Sequence, residues 1–192
     1  MSSERRGGLL LPSESNCKPP EELAIDALGW QGSLVKDITL FGSRVSVLAD
    51  IDEEAHSLRQ QTCTPPVTDR TSVTLWEWPE LTAPPSAVTL SAVMTTSTRW
   101  QHGMKAVSAF AGFSSTVLIL PRDIPAPESC LTTAERYGVW VVRIDSSEAV
   151  VDHQGRLGPV TTSRPTTVTR WTEELVYARL IDDGLIEASP AH

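Results

Sequence analysis

The feature that most narrows what this chain can fold into is the run Ser115-Thr116-Val117-Leu118-Ile119-Leu120-Pro121, apolar almost throughout and of strand length. A strand with one wet face alternates apolar and polar residues, whereas a continuous apolar strand fits an interior position covered on both faces. The segment before it, residues 97–113, repeats Trp100, Met104, Val107 and Ala111 at helical spacing, with Phe110 beside that face. Gly103 weakens this helix and allows close packing. Residues 87–96, AVTLSAVMTT, join β-branched residues to an apolar run and read as another strand. Strand, helix and buried strand imply a crossover unit. The pattern then repeats: residues 127–137 offer a short helix carrying Leu131, Ala134 and Tyr137, Gly138 closes it, and VWVVRI, residues 139–144, forms a further buried strand before a DHQG turn.

Upstream, PPEELAIDALGW reads as a helix. Pro20 suits an early helical position, Glu21 and Glu22 complement the dipole, Gly29 ends the turn, and Leu23, Ala27 and Leu28 supply an apolar face. Apolar Val35, Ile38, Leu40, Val45, Val47 and Leu48 around Gly42-Ser43 predict a hairpin. Residues 51–70 lose that regularity and read as irregular. TSVTLWEWPE then suggests a strand through Val73, Leu75 and Trp76, ended by Pro79, Pro84 and Pro85. Near the other end, Trp171, Leu175, Ala178 and Leu180 or Ile181 predict a terminal helix closed near Gly184, with Thr166, Thr167 and Thr169 as turn, strand-end or cap residues.

These elements predict an α/β fold: a single mixed-sheet domain flanked by helices over residues 19–184, with a flexible arm at 1–18 and a polar tail at 185–192. The formal charge of -8 disfavours an electrostatic grip on phosphate backbone, although local basic patches could oppose the average. The opening sixteen residues hold only a three-leucine apolar run, too short for a signal-peptide core, and no later stretch is an unbroken membrane span, so the expectation is a cytoplasmic protein without membrane partners. Cys17, Cys63 and Cys130 suggest neither a disulfide framework nor a metal knuckle, and His56, His102, His153 and His192 lack ligand spacing. Gly7-Gly8 and GPVTTSRP make no phosphate loop, Ser114 and Ser115 have no adjacent acid and histidine, and Cys130 could meet His102 or His153 only through tertiary proximity.

The order helix, hairpin, strand, helix, strand, helix, strand over residues 21–145 resembles the restriction endonuclease-like, or PD-(D/E)XK, nuclease fold. Three passages carry the likeness: GSRVSVLADI at 42–51, LSAVMTTSTRWQHGMKAVSAF, and STVLILPRDIPAPESCLTTAERYGVWVVRI. On this resemblance the family's metal-binding aspartate falls at Ser46, its second carboxylate at Ser91 and its lysine at Val93. Serine hydroxyls do not replace the charge of two carboxylates around Mg²⁺. The resemblance therefore implies a catalytically degenerate member, a pseudoenzyme with no cofactor, acting as a regulatory or protein-interaction domain through a protein partner or self-association.

Two alternatives stay open. One is a DNA-binding, Mg²⁺-dependent nuclease with relocated residues drawn from Asp50, Glu77, Glu80 and Lys105, with Asp50 and Glu77 as metal ligands. The other is a structural assembly component. Arg99, Arg122, Arg136, Arg143, Arg164 and Arg170 could line a phosphate-binding surface or be scattered solvent-facing charge. Trp76 and Trp78, one residue apart, would share a face if extended and are the candidate interaction residues, against the reading that they pack in the core. Trp30, Trp100, Trp140 and Trp171 are expected to close helix–sheet contacts.

Overall fold

The computed structural model describes residues 18–78, 80–160 and 166–188. Most of the N-terminal arm, with Gly7-Gly8 and Cys17, lies outside the described residues, as do Pro79, Arg164 and the end of the tail with His192.

Six strands form one mixed sheet in chain order: β1 (Ser33–Leu40), β2 (Ser43–Ile51), β3 (Val88–Thr96), β4 (Ser115–Pro121), β5 (Trp140–Ile144) and β6 (Ala149–His153). β2 runs antiparallel to both β1 and β3, β3 to β5 are mutually parallel, and β6 returns antiparallel to β5. Helices α1 (Pro20–Leu28), α2 (Glu53–Gln61), α3 (Arg70–Thr74), α4 (Trp100–Ser108), α5 (Glu128–Tyr137) and α6 (Thr167–Asp182) flank it. The expected single mixed sheet with flanking helices is therefore the observed architecture.

The buried strand β4 explains the layers. Val117 and Ile119 join Ala24 of α1, Leu48, Met94 and Val142 on one face, while Leu118 and Leu120 join Met104 and Val107 of α4 and Cys130 and Ala134 of α5 on the other. Alternate residues thus enter two different cores, each fully buried side chain contributing about 1.5–3 kcal/mol. A third cluster unites Val35, Val47 and Val93 with Phe110 and with Val176, Tyr177 and Leu180 of α6. Trp30 meets Trp140 edge-on at 5.5 Å, and both pack against the α1-side cluster. Trp100 lies against the α4–α5 cluster.

Several expectations need correction. Residues 53–61 are helical rather than irregular: Asp52 caps α2, its side chain accepting from Ala55 N at 2.9 Å. The face α2 buries is Ala55, His56 and Arg59, so no apolar periodicity announces it. The expected strand through Val73, Leu75 and Trp76 is α3 followed by a 3-10 turn, Leu75–Glu77. Asp69 nucleates that helix by accepting from the Ser72 backbone N–H and hydroxyl, each at 2.8 Å, which overrides the β propensity of the sequence. Asp152 and His153 of the expected DHQG turn are instead the end of a strand, β6. The hairpin loop is Phe41-Gly42, both residues at positive φ (50° and 75°), as a two-residue turn between right-twisted strands requires. In α1 the buried residue is Ala24, and Ala27 is exposed. Tyr137 is likewise exposed, Cys130 taking its place in the core. No helix among the described residues is long and apolar enough to cross a membrane.

Candidate functional site

Ser46 lies in β2 on the face covered by α1, the face it shares with Leu48. Its partner across the ladder is Met94, so the adjoining strand presents a thioether beside it. Ser91 stands three residues back along β3, at the slip where Leu48 pairs with Ala92 but Ala49 pairs with Leu90. The slip leaves Ser91 without a ladder partner in β2, and its hydroxyl donates to the Asp50 carboxylate of that strand. Val93 pairs with Val47 and is buried on the opposite face, beneath α6. The β2–β3 register thus puts Ser91 three residues from the position opposite Ser46, and strand alternation sends Val93 to the other face.

A cavity of about 150 Å³ does open at Ser46, lined by Glu21, Asp37, Arg44, Ser46, Thr95 and Thr96. Each acid there already has a partner. The Thr96 hydroxyl donates to Glu21 at 3.0 Å, and Arg44 Nε donates to Asp37 at 2.8 Å. Sequence reasoning missed both residues. Glu21 reads as a helix-dipole acid, and Asp37 reaches the cavity because β1 bulges there, with φ of 54° at Asp37 and a register shift between Val35 and Ile38.

The displaced candidates occupy different places. Asp50 shares the Ser46 face by alternation but is four residues farther along β2, about 13 Å. Glu77 accepts a hydrogen bond from the Thr167 hydroxyl at the start of α6, and Glu80 lies exposed in the turn that follows. Lys105 is exposed on α4, which packs on the face opposite α1. No group of three or more His, Cys, Asp and Glu side chains arranged to hold a metal occurs among the described residues. His56 is buried with Nδ1 3.0 Å from the Tyr177 hydroxyl. Ser115 uses its hydroxyl to accept from Gly158 N at 2.8 Å.

The most elaborate side-chain chemistry lies where α2, α3 and α6 meet. Arg59 and Glu174 have side chains only 1% exposed and form a two-pronged ion pair at 2.7 and 2.9 Å. Arg59 also donates to the carbonyls of Thr64, Pro65 and Pro85, and Glu174 accepts from Val67 N at 2.8 Å. This planar, fully engaged guanidinium fixes the chain between α2 and α3 onto α6. Arg170, one turn earlier on α6, pairs with Glu174 at 2.8 Å and donates to the carbonyls of Pro84 and Pro85. Its Nε is buried without a hydrogen-bond partner among the described residues. Burial pushes the Glu173 carboxyl up from its usual range, against the Ser86 hydroxyl and Arg170 that hold it down.

This corner positions the tryptophans. Arg170 lies over the Trp76 ring, 5.4 Å from its centroid, and Trp76 is half-buried beside a cavity of about 500 Å³ lined by Val73, Glu77, Ala83, Thr167 and Arg170. Trp78 is 62% exposed. The expected common face does not form, because a 3-10 turn rotates residues two apart to different sides. Trp171 packs edge-on against Phe41 at 6.0 Å and donates its indole N–H to Thr68 O at 2.7 Å. Most of the arginines expected to form a phosphate path are occupied. Arg122 bridges Asp145 and Glu148, Arg143 pairs with Asp152, and Arg136 lies over Tyr137. Compared with known proteins, the chain matches no family model, no curated protein and no solved structure.

Proposed function

We propose that this chain is a non-catalytic domain of restriction endonuclease-like descent that acts by associating with another protein. What supports the descent is the element order that carries the resemblance, met by α1, β1–β2, β3, α4, β4, α5 and β5 once α2 and α3, inserted between β2 and β3, are set aside. The observation that carries the loss of catalysis is the pairing of Ser46 with Met94, with Val93 turned into the opposite core. On the two strands that place offers a hydroxyl and a thioether, and the carboxylates nearby, Glu21 and Asp37, are already engaged by Thr96 and Arg44, while phosphodiester hydrolysis through Mg²⁺ needs anionic oxygen ligands free to bind the ion. Carboxylates bonded to the arginines leave little uncompensated positive surface for a nucleic acid on a chain of charge -8.

The test is incubation of the purified chain with plasmid, linear duplex and single-stranded DNA in Mg²⁺ and in Mn²⁺. No cleavage is expected. Cleavage that disappears in Asp50→Asn, Glu77→Gln, or the pair Glu21→Gln with Asp37→Asn would overturn the proposal and establish a relocated metal site.

A further inference from the structure

Among the described residues, large apolar side chains that remain exposed are mostly isolated along the chain. The exception is Leu75, Trp78 and Leu81, three within seven residues, exposed by 47%, 62% and 48%. Scattered exposed apolar residues need no explanation, whereas three so close in the chain point to a contact surface. Two successive turns space them: Trp78 N donates to Leu75 O at 3.1 Å, and Leu81 N donates to Trp78 O at 3.0 Å.

The segment is held firmly from beneath. Val73 is fully buried, Trp76 lies under Arg170, Arg170 binds the carbonyls of Pro84 and Pro85 beyond the ridge, and Glu77 is tied to Thr167. The residues flanking Trp78 and Leu81 are therefore held before anything binds, which lowers the ordering cost of binding.

Charge selects the occupant. Glu77 and Glu80 lie between the three apolar residues, both exposed, and no Lys or Arg occurs from Thr71 to Thr98. Two copies of this chain meeting through the ridge would bring these acids face to face on molecules of charge -8, and like charges across an interface are penalised. Anionic membrane surfaces and phosphate backbones are disfavoured for the same reason. Resting on the association reading above, we infer that the Leu75–Trp78–Leu81 ridge docks a segment of a partner protein whose apolar stripe is flanked by Lys or Arg. The exposed indole supplies the anchor, and Glu77 and Glu80 select the basic flanks.

The test uses the full chain and two labelled synthetic peptides of about 18 residues. They share one leucine stripe, flanked by lysines in one peptide and by glutamates in the other. The lysine peptide is expected to bind at least about ten-fold more tightly, and Trp78→Ala is expected to weaken it by about ten-fold while leaving the thermal midpoint and circular dichroism unchanged. Glu80→Lys should weaken it similarly, whereas Glu135→Lys, the same change of net charge at an exposed position on α5, should alter it by less than about two-fold. Equal effects of the two reversals would show attraction by net charge alone and overturn the inference, as would unchanged binding in Trp78→Ala. A dimer in sedimentation that Trp78→Ala dissociates would assign the ridge to a second copy instead. None of these failures produces DNA cleavage, so they are distinguishable from failure of the non-catalytic reading.

Discussion

Replacing Glu174 by Gln keeps the size of the side chain and removes its charge, leaving Arg59 and Arg170 to face a neutral amide. The carboxylate currently accepts two bonds from Arg59, one from Arg170 and one from Val67 N, at 2.7 to 2.9 Å. An amide has one oxygen, so at least one of these donors meets an NH₂ group instead. Removing one member of a buried ion pair costs about 3–5 kcal/mol, because the remaining charge is desolvated and uncompensated. In a domain of this size each kcal/mol lowers the thermal midpoint by about 2–4 °C, which gives a fall of about 6–20 °C. Urea unfolding followed by circular dichroism reads the loss directly. A double-mutant cycle with Arg59→Met should show that the second substitution costs much less once the first is made. Glu173→Gln is the contrasting control. Burial raises that carboxyl's pKa, so its charged form opposes folding as pH rises through and above the ordinary carboxylate range, and neutralising it should cost under about 1 kcal/mol. A loss below about 1 kcal/mol in Glu174→Gln, or equal losses at the two positions, would refute the claim that Glu174 compensates two buried guanidinium groups.

Gly103→Ala sets helix propensity against packing: alanine gains about 1 kcal/mol in α4, but the new methyl would clash with Leu118 Cδ1 and stand 3.0 Å from Ser97 Cβ, costing about 1–3 kcal/mol. Net destabilisation is expected in urea unfolding, with recovery when Leu118→Val opens the space; a simple gain in stability would refute the close packing. Asp145 accepts from the backbone N–H groups of Ser147 and Glu148 and from Arg122, in that order of importance, which lowers its pKa to about 2. Its folded pKa lies below the unfolded value of 3.8, so the stability it contributes is present above that value and lost as pH falls towards about 2. The gap in thermal midpoint between the native chain and Asp145→Asn should therefore hold from neutral pH to about pH 4 and close below it; a gap indifferent to acid would refute the assignment.

Local chemistry made much of this fold legible. The Pro20 start and Gly29 stop of α1, the apolar continuity of β4 and the Gly138 stop of α5 are interactions among residues near in sequence, and these elements form where they place them; α4 follows the spacing of Trp100, Met104 and Val107 but ends at Ser108, short of Ala111. What sequence could not supply depends on groups distant in the chain. α2 buries His56 and Arg59 because Tyr177 and Glu174, 121 and 115 residues later, satisfy them; without those partners the same face reads as solvent-exposed. Likewise, α6 buries Glu174, while of the stripe expected from spacing Leu180 is fully buried but Trp171, Leu175 and Ala178 are only half-buried.

The candidate site divides in the same way. Sequence alone determined that no Asp, Glu or Lys occupies Ser46, Ser91 or Val93, and that Trp76 and Trp78 adjoin an acidic, proline-bounded stretch. Only the tertiary structure decided that Met94 rather than Ser91 stands opposite Ser46, because the register of the β2–β3 ladder is fixed between strands distant in sequence, and strand alternation sends Val93 to the other face. It also separated the two tryptophans, half-burying one beneath Arg170 and leaving the other in water. Residue identity is written in the chain, but which groups converge is set by ladders and ion pairs between segments that sequence does not place side by side.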